Sequence, residues 1–335
     1  MSKVTVLGAG SWGTALAKAL AERGHQVALW ARTQEVAAKL RAERENSAYL
    51  PGIALPTNVH ATHELPKALE GASSVYIVVP SHGLREVLTQ ALPFLPERGP
   101  LISASKGIEN ASLLLMTQVI EDVVPPAHRG RVCALGGPSF AREVGAGMPT
   151  CVCIASKDQE LATQVQLELA SDRLRVYTTD DLIGVEVGGA LKNVMAIAVG
   201  AADGLECGHN ARAALITRGL AEMARLAIHL GAHPMTLAGL SGLGDLVLTC
   251  TGDLSRNRRV GLELARGRTL AEVLGEMRMV AEGVKTTKSA HALAAREGVD
   301  MPITREVHAA LYEGKAPLAA VESLLSRVPR PERDN

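Results

Sequence analysis

The run VEVGGALKNVMAIAVGAADGL, residues 185–205, is made mostly of apolar and small residues, and Lys192 and Asn193 interrupt it. An amine among such neighbours loses its water, which lowers its pKa and makes it usable as an acid or base near neutral pH. Gly188 and Gly189, one turn earlier, weaken a helix and leave room for another group to come close. Read alone, Lys192 fits equally well as a lysine snorkelling from a helix edge. A second cluster, SRNRR, stands at residues 255–259. Ser255 is a good N-cap, so free N–H groups, a positive helix end and guanidinium groups meet at one place. A phosphate accepts from such donors with charge-assisted geometry. Adjacent helical residues diverge, so Arg258 and Arg259 cannot both face that ligand, and at least one belongs to the surface or to an ion pair.

A third signal is Gly8-Ala9-Gly10-Ser11-Trp12-Gly13, which fits G-x-G-x-x-G between the apolar run KVTVL and the helical run TALAKALAERG. Here the first glycine makes a tight turn, the second admits a pyrophosphate against the backbone, and the third lets helix and strand pack closely. The next strand, QVALWAR, ends in Ala31, Arg32 and Thr33, where an NAD-restricted site carries an acidic residue for the ribose 2′-OH. Arg32 accommodates a 2′-phosphate instead, so NADP is permitted beside NAD; a solvated arginine at a strand end is the plain alternative.

These residues need a scaffold. KVTVLG, QVALWAR, SVYIVVP, PLISAS, RVCALGG and TCVCIAS read as buried strands alternating with helices, which implies parallel βαβ units covered on both faces. From about residue 180 to 327 only helical runs occur, such as PITREVHAALYEG with Pro302 in its first turn and Gly314 as its stop. The expected architecture is α/β: an N-terminal Rossmann-type doubly wound sheet over 1–183, an all-α domain over 184–330, and a frayed tail at 331–335. Of 335 residues only 2% are aromatic, so the core must be built from Ala, Leu, Val and Ile. The 35 basic and 35 acidic residues cancel, which argues against nucleic acid or an anionic membrane as a partner. Five cysteines at irregular spacing suit a reducing compartment, hence the cytoplasm. Cys151 and Cys153 share a strand face, but no second Cys/His pair completes a metal site, so buried thiols and no metal are expected. The ten histidines, His209 and His291 among them, lack triad or metal spacing. The opening residues mimic a signal peptide, but the ordered glycines favour the dinucleotide reading, and no run is read as membrane-spanning.

Gly189-Ala190-Leu191-Lys192-Asn193-Val194-Met195-Ala196, continuing through Asp203-Gly204-Leu205 to Gly208-His209-Asn210, resembles the signature of NAD(P)-dependent glycerol-3-phosphate dehydrogenases. The resemblance extends over GAGSWGTALA, SASKGIE, GGPSFA, GLGDLVLTC, SRNRR and AEGVKT in order; Ala201 and Cys207 depart from it where larger apolar residues are usual. It implies reversible hydride transfer between NAD(P)H and dihydroxyacetone phosphate, giving sn-glycerol 3-phosphate for glycerophospholipid synthesis, in a homodimer that does not insert in membranes. It implies Lys192 as the catalytic proton donor and acceptor. With Lys192, Lys106, Gly137, Ser139, Asp245, Ser255, Arg256 and Asn257 would bind substrate. Gly8, Gly10, Ser11, Trp12, Gly13 and Arg32 would bind the cofactor, joined by Lys106, Ala141, Arg256, Val280 and Glu282. Without the resemblance Lys106 reads as a solvated loop lysine, Asp245 as a turn cap and Glu282 as an ordinary polar residue. Gly137 and Pro138 are expected to open a helix whose N–H groups around Ser139 face a ligand.

Two rivals remain at this level. A β-hydroxyacid dehydrogenase also joins a Rossmann domain to helices, but its small carboxylate substrate has no need of SRNRR. A non-catalytic dinucleotide sensor needs an output module; the first strand begins at Lys3 and the neutral second half offers no basic recognition helix.

Overall fold

A computed structural model describes residues 2–277, 280–329 and 331–332. Ten strands are β1 (Lys3–Leu7), β2 (Gln26–Trp30), β3 (Glu45–Asn46), β4 (Leu50–Ala54), β5 (Val59–Thr62), β6 (Ser74–Ile77), β7 (Leu101–Ser103), β8 (Val132–Gly136), β9 (Thr150–Ala155) and β10 (Leu174–Thr179). Eight of them form one sheet in the order β10-β9-β8-β7-β6-β1-β2-β5, and β3 and β4 make a separate antiparallel hairpin. From β1 the chain steps outward to β2 and β5, then returns to β6 on the other side of β1. That reversal opens a crevice at the carboxyl end of β1, where the glycine turn lies.

Strand periodicity divides the core between two faces. Val4, Val6, Val27, Leu29 and Tyr76 enter one apolar cluster, whereas Leu7, Ala28, Trp30, Val75 and Ile77 enter another. Helices therefore cover both sides, as the alternation predicts. Tyr76 is the bulkiest fully buried side chain and the rest of that set are Leu and Ile, in keeping with the scarcity of aromatics.

The expectation of parallel pairing needs one correction: β8 and β9 run antiparallel, and β10 follows β9. The link between β8 and β9 holds only the short helix Ala141–Gly145, which packs against the helix Ser11–Glu22. Strands β5 and β10 and the hairpin are additions to the sequence reading. Cys151 and Cys153 are half-buried on β9 rather than buried, and burial pushes the Cys153 thiol up to about 11.

Beyond Thr179 the described residues form helices and turns only. Their axis is the helix Leu182–Gly204, buried along most of its length. By length and apolar composition this helix could cross a membrane, contrary to the sequence reading, yet 94% of its most apolar window is buried inside the protein. The helix Arg256–Ala265 lies directly on it: a Cβ at Gly200 would stand 1.9 Å from the Arg258 carbonyl oxygen, and one at Gly261 would stand 1.9 Å from that of Ile197. This backbone-to-backbone contact, available only to glycine, carries the SRNRR segment onto the Lys192 helix. Pro302 opens its helix as expected. Of the tail expected to fray, Pro331 and Glu332 are described, with the Glu332 carbonyl accepting from Arg218 Nη1 at 3.2 Å; residues 333–335 lie outside the described residues.

Candidate active site

One cleft of about 690 Å³ runs from the glycine turn to the Lys192 helix. Its first end is the turn after β1. Gly8 has φ +121°, and a Cβ on it would stand 2.5 Å from the Val78 carbonyl oxygen; a Cβ on Gly13 would stand 1.8 Å from the Gly8 oxygen. A Cβ on Gly10, by contrast, would meet nothing within 4 Å, so the floor of the cleft is open there. Gly10 is the N-cap of the helix Ser11–Glu22, which has no side-chain cap. An uncapped helix start beneath an open floor fits the pyrophosphate of a dinucleotide. Trp12, Arg32, Ala141, Val280 and Glu282 line the same cleft. Glu282 accepts a 2.7 Å hydrogen bond from Ser81 Oγ, and burial raises its pKa.

At the other end three charges meet that are far apart in the chain. Asp245 is fully buried; its Oδ2 accepts from Lys106 Nζ at 2.8 Å and its Oδ1 accepts from Lys192 Nζ. Lys106 Nζ also donates to the Gly137 carbonyl oxygen at 3.1 Å. Two ammonium groups thus share one carboxylate, an excess of positive charge facing the cleft. Burial lowers the Lys192 pKa most, Asp245 opposes the fall and Lys106 adds to it, leaving Lys192 at about 7. The greasy helix does what its composition suggested, and Lys192 is held inward rather than snorkelling.

Ser255 caps the helix Arg256–Ala265, its Oγ accepting from the Arg258 N–H at 3.2 Å, so its own O–H remains to donate. Arg256 lines the cleft with a solvent-accessible side chain; the desolvation it does undergo lowers its pKa while Glu282 opposes the fall. Asn257 donates to Asn193 Oδ1 at 2.8 Å and accepts from the Gly283 N–H at 2.9 Å, tying three helices together with one amide proton left over. Arg258 is the ion-pair member that the spacing required: it donates to Asp203 Oδ2 at 2.8 Å and pairs with Asp253 at 3.3 Å.

The cleft therefore gathers Gly8, Gly10, Ser11, Trp12, Arg32, Lys106, Ser139, Ala141, Lys192, Ser255, Arg256, Asn257, Val280 and Glu282. Three expected residues stand behind it: Gly13 under the turn, Gly137 as an acceptor for Lys106, and Asp245 beneath the two lysines. One local expectation fails. The helix after β8 begins at Ala141, and Gly137-Pro138-Ser139 precede it as an irregular turn with Gly137 at φ +109°. Sequence reasoning passed over Tyr49 and Thr249, both on the cleft wall. Thr249 lies one turn after Asp245 on the helix Asp245–Thr251, a spacing that a helical reading of DLVLTC contains. Among the described residues no group of His, Cys, Asp or Glu is arranged to hold a metal ion.

A Rossmann-type sheet with a glycine turn at its switch point, closed by a helical domain that carries a buried lysine, defines a nicotinamide-dependent dehydrogenase of the two-domain class. The finer assignment comes from comparison. Residues 3–162 match the N-terminal and residues 181–322 the C-terminal model of NAD-dependent glycerol-3-phosphate dehydrogenase. The chain belongs to that family. It is 56% identical over 331 residues to "Glycerol-3-phosphate dehydrogenase [NAD(P)+]" of Geobacter metallireducens, covering 99% of each chain. The corresponding protein of Myxococcus xanthus is 50% identical over 328 residues, covering 98% of each. The crystal structure of glycerol-3-phosphate dehydrogenase from Coxiella burnetii superposes with a TM-score of 0.93 at 42% identity, covering 97% of this chain and 99% of that one. D-mandelate dehydrogenase, at 12% identity and a TM-score of 0.60, shares the fold alone.

Proposed function

We infer that this chain interconverts dihydroxyacetone phosphate and sn-glycerol 3-phosphate with NADP or NAD as the hydride carrier, and that Lys192 moves the proton. The observation that carries the reading is the cluster of buried Lys192 and Asp245 with half-buried Lys106, opening onto a cleft whose far end is the glycine turn. The bound dinucleotide supplies the hydride for the carbonyl carbon.

The chain's own residues supply the rest. Lys192, with its pKa near 7, holds a proton at Nζ that it can release to the carbonyl oxygen as that oxygen becomes an alkoxide, and it can take the proton back in the reverse direction. Asp245 fixes the direction of that amine and of Lys106, whose positive charge favours the developing oxyanion. The Ser255 hydroxyl, the Arg256 guanidinium and the free Asn257 amide proton face the cleft together, a donor set suited to the substrate phosphate. Lys106, Gly137 and Ser139 complete the substrate side. Gly8 to Gly13 and Arg32 would hold the dinucleotide's phosphates and adenine ribose, with Ala141, Val280 and Glu282 completing its site. A carboxylate substrate would leave this donor set without its phosphate, which disfavours a hydroxyacid dehydrogenase.

The product's place in glycerophospholipid synthesis, a cytoplasmic location and a homodimeric state belong to the same reading. Five free cysteines without a disulfide support the location. The test is Lys192→Ala. Turnover should fall by about 1000-fold, within the usual range for a general acid–base residue, while NADPH binding stays within about twofold of wild type. Parallel losses of binding and rate would contradict the assigned role.

A further inference from the structure

The hairpin β3–β4 carries none of the residues assigned above to substrate or cofactor, yet it carries a side chain buried directly beneath the dinucleotide-binding turn. Asn46 is 3% exposed. Its Nδ2 donates to the Ala9 carbonyl oxygen at 3.0 Å and to Thr14 Oγ1 at 2.7 Å, and its Oδ1 accepts from the Tyr49 N–H at 3.3 Å. Both amide protons are therefore spent on the glycine turn and on the helix it opens, from a residue 37 positions away from Ala9.

The contact with Ala9 matters because of peptide geometry. In a planar trans peptide the carbonyl of one residue and the N–H of the next point in opposite directions. Drawing the Ala9 carbonyl down onto Asn46 turns the Gly10 N–H the other way, toward the open side where a Cβ on Gly10 would meet nothing. Without that anchor the Ala9–Gly10 peptide can rotate about ψ of Ala9 and φ of Gly10 and bring a carbonyl oxygen toward the anion, because Gly10 admits either sign of φ. The same hairpin reaches the cleft wall through Tyr49 and packs Leu50 against Ala15 and Val144, so it is fixed to the first helix and to the Ala141–Gly145 helix. We propose that Asn46 is a positioning residue for the cofactor: it sets the orientation of the Ala9–Gly10 peptide so that the turn presents N–H groups to the dinucleotide pyrophosphate. The proposal rests on the reading of this cleft as the NAD(P) site.

The experiment uses Asn46→Ala and the isosteric Asn46→Asp, which keeps the volume and the acceptor for Tyr49, so that one folded variant remains if the other is unstable. Kd is measured for NADPH and for ADP-ribose, which retains the pyrophosphate without the nicotinamide, beside the KM for dihydroxyacetone phosphate at saturating NADPH. The loss expected for one anchoring hydrogen bond is about tenfold in Kd for both nucleotides, with the substrate KM within about twofold of wild type. Thr14→Val, which removes the second acceptor but leaves the Ala9 contact, should bind both nucleotides as wild type does. Unchanged ADP-ribose affinity in both Asn46 variants, or a substrate KM that rises in step with the nucleotide Kd, would overturn the proposal. Failure of the wild-type chain to bind NADPH would instead overturn the reading of the cleft.

Discussion

Replacing Asp245 by Asn keeps the shape of the buried side chain and removes the one negative charge shared by Lys106 and Lys192. Burial already holds Lys192 at about 7, with Asp245 resisting the fall and Lys106 adding to it. An opposite charge at hydrogen-bonding distance is worth about one to three pKa units, so the variant should titrate near pH 5, taking about two. At pH 8 roughly one wild-type lysine in ten is protonated against about one in a thousand in the variant; at pH 5 the fractions differ only about twofold. The ratio of wild-type to variant kcat/KM for dihydroxyacetone phosphate, with NADPH saturating, should therefore grow by about 50-fold from pH 5 to pH 8. Any loss from misplaced contacts adds a factor independent of pH, so the growth of the ratio isolates the electrostatic effect. A ratio that stays flat across this range would refute the claim that Asp245 keeps Lys192 protonated for catalysis.

Other consequences follow from the same geometry. Arg256→Ala should raise the KM for dihydroxyacetone phosphate by about 30- to 100-fold with a smaller change in kcat, and leave the KM for unphosphorylated dihydroxyacetone unaltered; equal effects on both would remove the phosphate from its account. Glu186 is buried and accepts from the Thr117 N–H and hydroxyl, and burial raises its pKa from 4.5 to about 7. Its proton favours the folded chain: that contribution is fully present below pH 4.5 and is lost as pH rises through about 7. The loss amounts to about 3 kcal/mol. Urea unfolding at pH 5 and pH 8 should show a stability difference of this size in wild type that Glu186→Gln lacks; identical pH dependence in the two would contradict it.

The parts of the site that sequence revealed are those whose signal is local. The glycine turn is legible because strand, turn and helix follow one another within a dozen residues, and Lys192 because a lysine stands in the middle of a mostly apolar helix. Ser255 is legible as a cap because capping is decided within one helical turn. The parts that stayed hidden depend on pairing over distance. Asp245 reads as a turn residue until the fold brings it to lysines 53 and 139 positions away. Asn46 sits in a short polar stretch whose only meaning is its contact with Ala9. β10 escaped because its burial alternates, LRVYTT being an outer strand rather than a continuous apolar run. The direction of β9 depends on where the link after β8 packs, against the helix Ser11–Glu22, which no local pattern records, and the helix after β8 begins at Ala141 because Gly137 takes a positive φ that ends regular structure there.

The central claim is that the cleft joins a nicotinamide cofactor to a small phosphorylated ketone. It is tested most directly by following NADPH oxidation, and separately NADH oxidation, on addition of dihydroxyacetone phosphate, with unphosphorylated dihydroxyacetone as the control. The account predicts oxidation far faster with the phosphorylated ketone than with the control, with the ratio of kcat/KM for the two cofactors reporting what Arg32 does at the end of β2. Folded protein that binds dinucleotide and oxidises neither cofactor with dihydroxyacetone phosphate would contradict it.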